Sequence, residues 1–180
     1  DSVLARMRTP ERKRTIRDRV ARFREAVPGV AIRTTCIVGF PGETESDFDE
    51  LLEFLEEAQF DRVGAFTYSP QEGTRAADMV DDVPEPVKRE RLERLTELQR
   101  SVTAERYESR LGTVARVLVD RAAESGNAIG RLPWQADDVD GIVYLDETVP
   151  SGEFVDVAVE DVVDDYDFRA TVIRRVENVK

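Results

Sequence analysis

Residues 33 to 44 read Arg-Thr-Thr-Cys-Ile-Val-Gly-Phe-Pro-Gly-Glu-Thr, a β-branched run that meets two glycines, a proline and a glutamate. Thr34 to Val38 favours an extended chain, Gly39 and Gly42 permit backbone angles or close approaches that a Cβ would forbid, and Pro41 stiffens the turn between them. Such a strand and turn present a main-chain loop to a cofactor. A second segment, Arg62 to Tyr68, runs into Ser69-Pro70-Gln71-Glu72-Gly73-Thr74 in the same manner. Side chains for covalent or metal chemistry are scarce. One cysteine, Cys36, and no histidine leave no disulfide framework, no Cys-rich metal site and no zinc site of the usual kind.

The elements that must position these loops can be read from periodicity. Thr44-Glu45-Ser46-Asp47 is an approximate capping box, and Phe48, Leu51, Leu52 and Leu55 follow at helical spacing, which predicts a helix from Glu45 to Ala58. Strands at Val30 to Val38 and Arg62 to Tyr68 flank it. Together they form a βαβ unit, whose crossover requires a parallel pair and brings loops 39 to 44 and 69 to 74 to one rim. Upstream, Val3 to Met7 reads as a short helix whose preceding strand is missing, so a truncated piece of a longer chain is expected. Pro10 to Val27 reads as a second helix, with Ile16, Val20, Phe23 and Val27 as its stripe and Pro28-Gly29 as its stop. A long helix from Pro84 to Leu111 carries Leu92, Leu95, Leu98 and Val102, then ends at Gly112. Beyond it the period changes to two. Thr113 to Val119, Ala128 to Arg131, Gly141 to Leu145, Phe154 to Val159 and Phe168 to Ile173 read as strands of a small OB-like barrel. The fold class expected is α/β followed by all-β, with residues 1–110 as one domain plus linker helix and 111–180 as the other.

The 180 residues carry a net charge of −12, unevenly spread. Residues 1–110 hold 19 basic and 23 acidic side chains, and residues 111–180 hold 7 and 15. Nucleic-acid affinity comes largely from cations on phosphates, so the acidic tail suits a basic protein partner better, or serves only as a solvated surface. The nine basic residues from Arg6 to Arg24 fit a solvated helix face. No apolar run approaches the roughly 20 residues of a membrane helix, and none resembles a signal peptide, so the cytoplasm is the expected location.

The order of Val-Leu-Ala-Arg-Met-Arg (3 to 8), the glycine string from 33 to 44, Phe-Asp-Arg-Val-Gly-Ala-Phe-Thr-Tyr-Ser-Pro-Gln-Glu-Gly-Thr (60 to 74), a linker helix and a small β-domain resembles the methylthiotransferases of the radical S-adenosylmethionine (SAM) superfamily. The resemblance covers the whole chain. It implies the C-terminal half of a radical SAM (βα) partial TIM barrel followed by a TRAM domain. In complete members, SAM and two [4Fe-4S] clusters serve an N-terminal iron-sulfur domain and a barrel with a Cys-x3-Cys-x2-Cys motif. One branch modifies adenosine in tRNA; the RimO branch methylthiolates an aspartate of a basic small-subunit ribosomal protein of the S-twelve type. Ala128-Ile129-Gly130-Arg131 followed by Ala136-Asp137-Asp138-Val139-Asp140-Gly141-Ile142-Val143-Tyr144 is similar to the RimO pattern, and the acidic tail complements a basic protein.

The resemblance implies a cofactor wall of Ile37, Gly39, Phe40, Pro41, Gly42 and Glu43 beside adenosine, with Phe66, Thr67 and Tyr68 offering main-chain edges to adenine. Arg33, Arg131, Asp140 and Gly141 are the implied substrate-binding residues. The superfamily's Gly-x-Ile-x-Gly-x-x-Glu spacing is not met. With Ile37 and Gly39 in register the glutamate falls one place late, so Glu43 either touches ribose or adenine or is held by the following helix N-terminus. Arg33 either binds a carboxylate or pairs with an acid of the barrel. Cys36 reads as a small buried residue. Trp134 is either an interface anchor or a lid over the barrel end. Three thiolates are needed for a cluster with one open iron, so the 180 residues by themselves are expected to be catalytically inert. Two other readings stay open: the tRNA-modifying branch, and a binding module with no chemistry of its own.

Overall fold

A computed structural model describes residues 1–122, 126–136 and 139–176. It divides into two compact units, Asp1–Thr103 and Ala104–Lys180. In the first, two helices, α1 (Ser2–Arg6) and α2 (Lys13–Ala26), precede strand β1 (Arg33–Val38), helix α3 (Glu45–Ala58) and strand β2 (Arg62–Thr67). Helix α4 (Glu85–Glu108) begins in the first unit and ends in the second. β1 starts three residues later than the strand expected from Val30, because Pro28-Gly29 closes a turn in which the Val30 N–H donates to the Val27 carbonyl.

β1 and β2 pair in parallel without a register shift, from Arg33 opposite Arg62 to Val38 opposite Thr67. The Tyr68 N–H extends the ladder to the Val38 carbonyl at 2.8 Å. Both glycine-bearing loops therefore leave the same edge of the pair, as the βαβ pattern requires. Alternation then splits β1. Cys36 and Val38 face the helices and join a core with Val20, Phe48, Phe54, Leu55 and Leu95, while Arg33, Thr35 and Ile37 are exposed on the other face. Burial of each large side chain in that core contributes roughly 1.5–3 kcal/mol.

The second unit is a closed five-stranded barrel: β3 (Val114–Ala122), β4 (Ala128–Arg131), β5 (Val143–Leu145), β6 (Phe154–Val163) and β7 (Asp167–Val176), in the order β3-β4-β5-β7-β6. All five strands expected from the period of two are present. The last two are longer than expected, pairing as a hairpin whose turn holds Asp164 at a φ of 57°. Inward residues such as Val117, Val119, Val155, Val157 and Phe168 are almost wholly buried. The C-terminal end of α4 belongs to this core through Tyr107, whose ring lies 4.7 Å from that of Phe168.

The N-terminus of α3 is a reciprocal box. The Asp47 N–H donates to Thr44 Oγ1 and the Thr44 N–H donates to Asp47 Oδ2, both at 3.1 Å. Burial alone would raise the Asp47 carboxyl, but the Ser2 hydroxyl, the Thr44 N–H and hydroxyl, and Arg6 outweigh it and hold the carboxyl down at about 2. The unfolded chain then takes up the proton first as pH falls, so stability present above about pH 4 is lost as pH drops toward 2. Urea midpoints measured across that window should fall steeply for the wild type. Asp47→Asn should flatten the fall; an unchanged slope would show that other carboxylates carry it.

Candidate functional site

The first glycine loop is a type II turn built from its sequence. Pro41 and Gly42 are its central residues, Gly42 has a φ of +76°, and the Glu43 N–H donates to the Phe40 carbonyl at 2.8 Å. A side chain at Gly42 would be strained by that φ alone. The turn is tied from two sides: Arg6 donates to the Gly42 carbonyl and the Gly42 N–H donates to Asp82 Oδ1, both at 2.7 Å. Phe40 and Pro41 are buried, and the Phe40 ring meets Tyr68 edge-on at 5.2 Å. Tyr68 is itself buried, whereas Ser69 beyond it is exposed; Gln71 to Thr74 form an exposed turn.

Glu43 is buried with its carboxylate turned back into the loop. Its Oε1 accepts from the Gly39 N–H and from Arg91 Nη1, both at 2.8 Å. Burial pushes this carboxyl above the ordinary range, against the pull of the Gly39 N–H and Arg91. Arg91 extends the network to Glu45, which also receives Arg94. Lys88, one turn earlier on α4, is 1% exposed and lies over Gly39. The sequence reading of α4 as an apolar stripe overlooked both cations. Their signal was positional, because Lys88 and Arg91 occupy the same 3.6-residue period as Leu95 and Val102.

The expected cofactor residues thus fall into two groups. Ile37 and Phe66 lie opposite one another in the parallel register and are 42% and 61% exposed, which makes them a paired apolar platform one or two residues short of the loops. Gly39, Phe40, Pro41 and Glu43 form the buried body of the adjoining turn, Gly42 is half-buried, and Thr67 ends β2. β2 pairs only with β1 among the described residues, so its outer edge presents main-chain groups beside Phe66. Arg33 shares the face of Ile37 but stands at the opposite end of β1, roughly 13 Å away at about 3.3 Å per residue. Cys36 lies on the helix side, where burial pushes its thiol up to about 11. It lines a cleft of ≈ 210 Å³ with Leu4, Ile16 and Phe54, to which Ile37 and Glu43 also contribute. Among the described residues no group of His, Cys, Asp and Glu is arranged to hold a metal ion.

The remaining candidates are in the barrel unit. Arg131 ends β4 and pairs with Asp120 at 3.6 Å. Asp140 is buried, and its Oδ2 accepts from the Ala136 N–H at 2.8 Å. Gly141 lies so close to β7 that a Cβ would stand 2.3 Å from the Tyr166 carbonyl oxygen. Asp137 and Asp138 of the acidic stretch lie outside the described residues. Trp134 packs on the barrel core at Phe168, and the Arg110 guanidinium covers its ring at 4.1 Å, the arrangement of a lid over the core.

Comparison with known proteins matches residues 111–173 to the TRAM domain. Across nearly all of its length the chain is 44% identical to the ribosomal protein uS12 methylthiotransferase RimO of Vibrio vulnificus (strain YJ016), over 175 residues. The chain is similar to RimO proteins along nearly its whole length. RimO of Proteus mirabilis (strain HI4320) is 45% identical over 175 residues, and RimO of Hahella chejuensis (strain KCTC 2396) 46% over 168. The match takes in 96% of this chain and 37% of the Vibrio vulnificus protein, so the chain spans little more than a third of the length of such relatives. The glycine loop with its buried Glu43 and the five-stranded barrel thus stand in a sequence that resembles RimO proteins over nearly all of its length.

The Glu43–Arg91 pair makes the loop sensitive to its partner on α4. Arg91→Met should lower the unfolding free energy of the first unit by about 3–5 kcal/mol, since it strands a buried carboxylate, and Glu43→Gln combined with Arg91→Met should recover most of the loss. Denaturant unfolding of the three proteins checks this; equal losses in single and double variants would contradict the coupling.

Proposed function

We propose that these residues form the adenosine wall and the partner-selecting domain of a radical SAM enzyme that β-methylthiolates an aspartate of a small-subunit ribosomal protein. The exposed Ile37–Phe66 platform beside the glycine turn is the observation that carries the reading. An adenine ring needs an apolar surface to lie on and main-chain groups at its edge. Ile37 and Phe66 provide the first, and the outer edge of β2 with Thr67 and Tyr68 provides the second. SAM and its cluster supply the radical chemistry when bound. This chain's own part is to hold the nucleoside and shield it: the buried body of the turn closes one side, and Glu43 fixes that turn through the Gly39 N–H. Arg33, far down the same face, is assigned to a carboxylate at the opposite end of the strand from the nucleoside. The residues do not fit a [4Fe-4S] cluster, because the single thiol is buried and protonated. On their own the 180 residues should release no 5′-deoxyadenosine from SAM.

The barrel unit is assigned to the ribosomal protein. Five of its arginines are paired with its own acids, Arg116 and Arg174 with Asp156, Arg131 with Asp120, Arg169 with Asp161 and Arg175 with Glu147. Acidic side chains outnumber basic ones in this unit, and the β6–β7 turn sets Asp164 and Asp165 on the surface beside the exposed Tyr166. That surface complements a cationic polypeptide and opposes the phosphates of tRNA. The enzyme works on a soluble target, and no described helix is long and apolar enough to cross a membrane; the cytoplasm is the proposed setting.

Two measurements on the intact, cluster-loaded enzyme test the two assignments. Phe66→Ala should weaken S-adenosylhomocysteine binding roughly tenfold by calorimetry; unchanged affinity would remove adenosine from this face. Asp164→Asn with Asp165→Asn should slow association with the uS12-type protein several-fold at low salt and leave S-adenosylhomocysteine binding intact. Tight, salt-sensitive tRNA binding by the wild type would instead favour the tRNA branch.

A further inference from the structure

The glycine at position 39 is not vacant space. A Cβ built there would stand 2.4 Å from Lys88 Cγ, 3.1 Å from Cδ and 3.2 Å from Cβ, so the backbone of the loop rests directly on the methylene stem of a lysine. The whole side chain is 1% exposed, and its ammonium donates to Asp81 Oδ2 at 2.6 Å and Glu85 Oε1 at 2.9 Å. The same ammonium passes 5.5 Å from the centre of the Tyr68 ring, which closes on Phe40. One side chain therefore touches the residue that opens the first loop and the residue that opens the second. Asp81 is 33% exposed and Glu85 70%, so both carboxylates can be rehydrated when the ammonium is replaced by an apolar group. The buried stem is the part whose removal opens a void under Gly39.

We propose that Lys88 is a positioning residue for the nucleoside platform: its aliphatic stem, not its charge, sets the height of the Gly39–Glu43 turn relative to Ile37 and Phe66. This rests on the adenosine reading above. Lys88 touches no substrate or cofactor. Its influence passes from the stem through Gly39, and a shift of about 1 Å in such a wall is enough to cost up to about a hundredfold in function.

The charge-free variant Lys88→Met keeps a stem of similar length, and Lys88→Ala removes it. In the intact, cluster-loaded enzyme, calorimetry with S-adenosylhomocysteine should show Lys88→Met within about twofold of wild type and Lys88→Ala weaker by roughly tenfold. The KM for SAM should follow the same order, with affinity for the ribosomal protein unchanged in both. If Lys88→Ala does not fold, Lys88→Val, which restores only the first methyl layer, takes its place and should bind more weakly than Lys88→Met. Equal losses in the Met and Ala variants would assign the effect to charge and overturn the proposal, as would wild-type affinity in both. Phe66→Ala separates the two failures. If it weakens binding and Lys88→Ala does not, the positioning role alone is wrong; if neither does, the adenosine reading is wrong as well.

Discussion

The parallel pairing of β1 with β2 is the constraint on which the site depends. A parallel pair cannot be closed by a tight turn, so α3 must cross over, and the crossover sends both strands to the same edge before releasing their loops. Pleating then decides which side chains serve the core and which serve the site. Cys36, Val38, Val63 and Ala65 go to the helices; Thr35, Ile37 and Phe66 go to the open face. A slip of one residue in either strand would exchange those sets and bury the platform.

Main-chain pairing alone does not shape the glycine loop. A type II turn with a buried carboxylate needs a cation that follows it into the core, and α4 provides two at the level of the turn. Arg91 neutralises Glu43, and Lys88 fills the space that Gly39 leaves. Helix α4 is thus part of the site as well as a connection in sequence between the two units. The barrel unit follows a different rule. Its stability comes from a valine-rich interior closed by Tyr107 and Trp134, while its charges lie outside, with Arg116 and Arg174 paired to Asp156 and acids outnumbering bases in the sequence.

Much of this was legible from residue types. The capping box at Thr44, the βαβ order, the shared rim and the five barrel strands each follow from local signals that agree with the tertiary structure. The position of Glu43, one place later than the superfamily spacing, also had a physical meaning: the extra residue lets Pro41-Gly42 complete a turn before the carboxylate folds back onto Gly39. What escaped the sequence was the fate of polar residues on apolar stripes. Lys88 and Arg91 look solvated by type and buried by period, and only a partner acid, far away in sequence, decides between the two. Asp61 was hidden for the same reason, since its carboxylate is spent on the Ile32 N–H. The alternation of Arg33 with Thr34 was legible, but which set faces the open side was not, and the sequence placed the start of β1 at Val30, three residues early.

Hydrogen–deuterium exchange of the intact, cluster-loaded enzyme, with and without SAM, tests the central claim most directly. Slowed exchange confined in this chain to residues 37–43 and 62–69, with β3 to β7 unaffected, is the predicted result. Unchanged exchange in both segments, or protection only in the barrel strands, would contradict the placement of the nucleoside on the Ile37–Phe66 face.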